Sequence, residues 1–165
     1  VQACADTTKG KENTLQQQRS PSQVFALVFG LILTVLGIIG FFYNASFAAG
    51  SETLHNREAI FGVFDVNGWH NVFHIITGVV GLALVGSALK SRGYALAIGG
   101  LYVAFAILGI IYVATSTDSV FELIPVNTWD NVLHAFVGVF GLTFGLASYS
   151  EPTGARVPPT GASPA

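Results

Sequence analysis

The chain has 165 residues, 52% of them hydrophobic and 10% charged, with a mean hydropathy of +0.61. A soluble domain carries about 25% charged residues, so there is too little polar surface to face water on every side, and a polytopic membrane protein is the default. A net charge of −2, with no basic patch interleaved with aromatics, gives no case for nucleic acid. The single cysteine, Cys4, excludes an internal disulfide framework.

Residues 1–20 are polar, with the run Gln16-Gln17-Gln18, and read as a disordered tail. Pro21 opens an apolar segment, and the first span is expected over 24–43. At roughly 1.5 Å per residue, about twenty residues cover a hydrocarbon core of ~30 Å. The connection 44–65 carries Glu52, Arg57, Glu58 and Asp65, with a short surface helix expected around 52–60. Asn67 is a suitable N-cap for a second span over 68–89. Lys90-Ser91-Arg92-Gly93 reads as a tight turn, followed by a third span over 94–114. After a short loop through Thr117, Asp118 and Glu122, Pro125 and Asn127 introduce the fourth span, 127–149. From Pro152 onward Pro, Gly, Ala, Ser and Thr dominate, a flexible tail over 151–165. The fold class is therefore all-α: an integral membrane four-helix bundle over 21–150.

Charge gives the orientation. Lys9, Lys11, Arg19, Lys90, Arg92 and Arg156 all fall on one side, leaving only Arg57 on the other. The positive-inside rule then puts both termini in the cytoplasm. The segment Phe61 to Leu82 is written again as Phe121 to Leu142, with identities that include Asn67/Asn127, Trp69/Trp129, Asn71/Asn131, His74/His134, Gly78/Gly138 and Gly81/Gly141. A weaker echo joins Leu36-Gly37-Ile38-Ile39 to Leu108-Gly109-Ile110-Ile111. Two tandem helical hairpins of equal orientation are expected, related by an axis along the membrane normal, with Trp69 and Trp129 level in the outer aromatic belt.

Within the repeat, His70, Asn71, His74, Gly78 and Gly81 share a stripe about 100° wide on the second span. Asp130, Asn131, His134, Gly138, Gly141 and Gly145 form its counterpart on the fourth. Polar groups cost free energy in hydrocarbon, so the two stripes are expected to turn inward, toward each other, with His74 and His134 level. One reading is structural: the glycines let helices approach while Asn and His hydrogen-bond across the gap. A second is a metal site, since His70/His74 and Asp130/His134 stand four apart and supply three imidazoles and a carboxylate for Zn²⁺ or a related ion. A third is b-type haem with His74 and His134 as axial ligands and Gly78 and Gly138 giving room, although no Arg or Lys in the outer halves of the spans would meet the propionates. A proton or ion relay is the fourth. No nucleophile elbow, phosphate loop or carboxylate pair is present, so no catalytic residue is assigned.

The repeated Asn-x-x-His-x-x-x-Gly, together with Gly62-Val63-Phe64, Val66-Asn67 and Tyr94-Ala95-Leu96, resembles a family of four-span bacterial membrane proteins defined as a domain of unknown function, common in actinobacteria and some cyanobacteria. The resemblance covers about 23–147 and implies an integral membrane protein of a bacterial envelope, without implying an activity. The first functional expectation is a non-enzymatic protein in the lipid bilayer, acting through helix packing with itself as a homo-oligomer or with another membrane protein. The alternative is a metal- or haem-binding protein that uses His74 and His134, with His70 and Asp130 added for a metal.

Overall fold

The structure, a computed structural model, describes residues 19–55 and 58–148. The expected tails, 1–20 and 151–165, fall almost wholly outside the described residues, as do Arg57 and the end of the fourth span at Tyr149.

Helix α1 (Pro21–Tyr43) starts at a capping box. The Ser20 hydroxyl accepts from the Gln23 amide while Ser20 N donates to Gln23 Oε1 at 2.9 Å, and Pro21 occupies a first-turn position whose N–H would be unpaired in any case. A short α2 (Glu52–His55) follows, then an antiparallel pair, β1 (Glu58–Ile60) and β2 (Phe64–Val66). Helix α3 (Gly68–Leu84) and helix α4 (Ala88–Ala114) come next. A second two-stranded hairpin, β3 (Ser119–Val120) and β4 (Ile124–Pro125), leads into α5 (Thr128–Ala147).

Three expectations need correction. The surface helix around 52–60 stops at His55, because Phe61 and Gly62 adopt left-handed φ of 53° and 72° and fold Ala59 and Ile60 back onto Asp65 and Phe64. The turn at Lys90–Gly93 is helix. Chain reversal happens at Val85–Ser87, where the Ser87 side chain caps α4 by accepting from Lys90 N. Ser91 Oγ donates to the Leu84 carbonyl and Arg92 Nε to the Gly145 carbonyl, so polar residues that read as loop are spent closing helix ends. Helix α3 consequently ends at Leu84, short of the expected residue 89.

By length and composition α1, α4 and α5 can cross a membrane, with mean hydropathies of 2.8, 2.3 and 1.3; α3 is a shorter apolar helix of 17 residues. The closest helix pairs are α1 with α3 and α4 with α5, and α1 also touches α4 and α5. The buried residues of α1 are Ser22, Phe25, Ala26, Phe29, Gly30, Leu33, Gly37 and Gly40. Those of α4 are Ser91, Tyr94, Ala95, Ile98, Gly99, Tyr102, Ala106 and Gly109, spaced identically along the helix. The echo between Leu36–Ile39 and Leu108–Ile111 is three residues out of step with that spacing, so it is not the register in which these helices bury their faces.

Small residues set the distance within each pair. A Cβ on Gly99 would lie 2.6 Å from the Leu142 amide nitrogen and 2.9 Å from the Gly141 carbonyl carbon. Backbone atoms cannot rotate away. The next residue, Gly100, meets nothing within 4 Å. Gly99→Ala is therefore expected to destabilise the protein by about 1–3 kcal/mol, whereas Gly100→Ala leaves it unchanged or up to about 1 kcal/mol more stable. Unfolding in detergent micelles checks this, and equal effects of the two substitutions would contradict the close approach.

Candidate metal centre

Helices α3 and α5 start in the same way. Asn67 caps α3 by accepting from His70 N at 2.9 Å, and Asn127 caps α5 by accepting from Trp129 N and Asp130 N. Each cap amide then reaches across: Asn67 Nδ2 donates to the Leu123 carbonyl at 2.6 Å, and Asn127 Nδ2 to the Val63 carbonyl at 2.7 Å. Each helix start is thus tied to the turn of the other β-hairpin. His74 and His134 both lie six residues in from the first helical residue, about 9 Å by helical rise.

These ties bring three imidazoles together. His70, His74 and His134 are 2%, 6% and 4% exposed. Ring centroids are 4.4 Å apart for His70–His74, 5.8 Å for His70–His134 and 6.4 Å for His74–His134. One ring nitrogen of each lies within 4.8 Å of the others. His70 Nδ1 is 3.0 Å from the Asp65 carbonyl. A carbonyl only accepts, so Nδ1 carries the proton and Nε2 presents its lone pair. His70 Nε2, His74 Nε2 and His134 Nδ1 are buried with no hydrogen-bond partner among the described residues. The cavity beside them has a volume of about 10 Å³, the size of one water molecule or ion. Ile60, Phe64 and Val66 of the first β-hairpin roof it, and Leu36 and Leu133 close its sides.

Asp130 borders the same cavity, but its carboxylate has structural work. Oδ2 accepts from Asn127 N at 2.9 Å, completing the α5 capping box, and from Asp65 N at 3.1 Å, pinning the β1–β2 hairpin to α5. The structure therefore brings three of the four proposed metal ligands together as a cluster and gives the fourth a scaffold role.

The glycines do not face each other across the bundle, as the sequence stripe suggested. Gly78 lies against Thr34 and Gly30 of α1, and Gly81 against Tyr94; Gly138 meets Val103 and Gly99, Gly141 meets Gly99 and Ala95, and Gly145 meets Leu96. Each glycine edge is consumed by a neighbouring helix, and only the histidine edge faces the centre. Asn71 and Asn131 sit in the angle between, their side chains filling the space above Gly40 and Gly109. With the glycine faces filled and a central cavity of about 10 Å³, the geometry leaves no room for a porphyrin between His74 and His134.

Sequence reasoning missed Tyr102 and Thr77. Tyr102 stacks on His74 (6.3 Å, 19°) and meets His134 edge-on (5.4 Å, 78°), with its hydroxyl 3.5 Å from Thr77 Oγ1. Tyr102 puts a hydroxyl-bearing ring at the middle of the buried α4 face, as Tyr94 does nearer its start, among otherwise small or aliphatic residues, and that was the available signal.

Asp130→Ala removes a cap and leaves the buried Asp65 N–H without its acceptor. We expect a loss of about 2 kcal/mol or more in unfolding free energy, largely restored in Asp130→Asn, which keeps the accepting oxygen. Equal stability of the Ala variant and the parent protein would contradict the scaffold role.

No curated protein and no solved structure matches the chain. A family model does, over residues 23–147, which includes both asparagine caps, all three clustered histidines and both β-hairpins. The chain belongs to the family described as a domain of unknown function, DUF4383.

Proposed function

We propose that this chain is a metal-binding integral membrane protein, non-enzymatic in itself. Its four spans form two tandem hairpins with both ends on the cytoplasmic side of a bacterial plasma membrane. His70, His74 and His134 hold one transition-metal ion. The identical spacing of buried residues on α1 and α4 supports the duplication. At 17 residues α3 is at the lower limit for a span, about 17–25 residues. The exposed faces Ile76, Val79 and Val132, Phe136, Val139 suit lipid contact, and Lys90 and Arg92 at the α3–α4 reversal suit a cytoplasmic end.

The observation that carries the metal reading is the set of three buried, unpartnered imidazole nitrogens around one small void. Leaving each unsatisfied costs about 1–3 kcal/mol. A purely structural role would have the rings bond to one another or to neighbouring groups, and at these three nitrogens they do not. One ion satisfies all three at once. Three neutral nitrogen donors suit Zn²⁺ or copper and leave a coordination position open. The His70 Nδ1 to Asp65 carbonyl bond is the outer support that fixes a ligating imidazole.

The test is a Co²⁺ titration of the purified protein in mild detergent, followed by the visible d–d bands, with Zn²⁺ in competition. One metal per chain is expected. His70→Ala, His74→Ala and His134→Ala should each weaken binding by about a hundredfold or more, beyond the effect of losing an outer-shell partner. The exposed His55→Ala serves as control and should bind as the parent does. A folded protein that takes up no metal, or a His134→Ala variant that binds normally, would reduce the cluster to a water-bridged structural element.

A further inference from the structure

A second cavity, of about 400 Å³, opens on the outside of the second hairpin. Ile110, Val113 and Ala114 from the end of α4 form one wall, and Thr128, Asn131 and Ala135 from the start of α5 the other. The volume lies within the range of small-molecule sites, about 300–1,000 Å³. Only Thr128 and Asn131 bring polar side chains to it.

The first hairpin fills the corresponding place with its own chain. Beyond α1 the backbone folds over the start of α3, where Asn71 Nδ2 donates to the Asn44 carbonyl at 2.8 Å and Gly68 N to the Ser46 carbonyl at 2.7 Å. The Phe47 ring then lies against Gly68, edge-on to Trp69 at 5.1 Å and 6.4 Å from Phe41. In the second hairpin α4 runs on as helix to Ala114. Thr115, Ser116 and Thr117 fold back onto the carbonyls of Ile111, Val113 and Tyr112, so no ring crosses the groove. Asn131 stands where Asn71 stands in the first hairpin and is 5% exposed. Its Oδ1, like that of Asn71, is buried without a hydrogen-bond partner; unlike Asn71, it has no carbonyl among the described residues accepting from its amide.

We propose that this groove binds an amphipathic membrane molecule whose head is a flat ring bearing a carbonyl oxygen, the chemistry of a prenylated quinone. The ring occupies the place that Phe47 fills in the first hairpin, displaced toward Ile110 by Thr128, which replaces Gly68. The ring carbonyl accepts from Asn131 Nδ2 as the Asn44 carbonyl accepts from Asn71, and the apolar tail leaves along the exposed face of Val132 and Val139. Ser22 N donates to Ser148 Oγ at 2.9 Å, so these two residues meet at the far end of α5, about 30 Å from the groove by helical rise. This inference rests on the membrane placement proposed above and not on the metal.

The probe is decylubiquinone, titrated into detergent-solubilised Trp69→Phe protein, so that Trp129, in the same helical turn as the groove wall, is the remaining tryptophan reporter of the chain's two. Saturable quenching at one molecule per chain is expected. Asn131→Leu should weaken it roughly three- to tenfold, the worth of one hydrogen bond. Ala114→Phe, which fills the groove from its exposed rim without touching Asn131, should abolish it while Co²⁺ binding persists. Dodecylbenzene, a ring and tail without the carbonyl, should bind at least threefold more weakly. Non-saturating quenching that Ala114→Phe leaves unchanged, or equal binding of dodecylbenzene, would overturn the proposal. So would a dimer that Ala114→Phe dissociates, since a second copy of the chain would then be the occupant.

Discussion

The close approach of α1 to α3 and of α4 to α5 is the constraint on which the rest of the bundle depends. Gly40 and Gly109 leave space on one helix, and the side chains of Asn71 and Asn131 fill it from the other. Because a Cβ at either glycine would collide with the amide, the two helices of each pair can meet in only one register. That register fixes the rotation of α3 and α5 about their own axes. The glycine edges turn to the neighbouring helices, and His74 and His134, a turn further round, are left facing the centre of the molecule. In the proposed membrane setting, dispersion contacts between close backbones and a few buried amides supply the attraction, since hydrocarbon offers no hydrophobic drive between helices.

Above this core, polar ties hold the histidine end of the bundle closed. Asn67 and Asn127 each serve two elements at once, capping a helix with the side-chain oxygen and holding the opposite β-hairpin with the amide nitrogen. Asp130 adds the link from α5 to the Asp65 amide. The Asp65 carbonyl in turn holds His70 Nδ1, so the same few residues that pin the hairpin also set the tautomer and tilt of the third imidazole. Ile60, Phe64 and Val66 then keep bulk water from the cavity below. Low local polarity makes an unpaired imidazole nitrogen expensive and makes an ion bound there by three nitrogens correspondingly hard to lose.

Much of this was legible in the sequence because it is written twice. The recurrence of Asn71/His74/Gly78 as Asn131/His134/Gly138 identifies the buried face of α3 and α5, and Asn67 and Asn127 announce the helix starts. What the pattern could not give was partner choice. A stripe of glycine and histidine on one face reads as a single interface, yet the glycines and histidines occupy adjacent edges that meet different neighbours. The short β-hairpins were hidden for a related reason. Two or three residues per strand carry no usable alternation, and the turns place Phe61, Phe121 and Glu122 at left-handed φ, where Asn or Gly is the usual signal. Helix ends at Leu84 and Ala88 were misread because Lys90 and Arg92 look like loop residues, although their stems can lie along apolar surface while their heads reach a water interface. At Asp130 the spacing that suggests a ligand also suits a helix cap, and its Oδ2 accepts from Asn127 N and Asp65 N.

The central claim is that His70, His74 and His134 share one ion. X-ray absorption at the zinc edge of the zinc-loaded protein tests it most directly. The account predicts imidazole scattering from three nitrogens at about 2.0–2.1 Å, falling to two in His134→Ala. A spectrum dominated by oxygen ligands with no imidazole contribution, or one unchanged by that substitution, would contradict it.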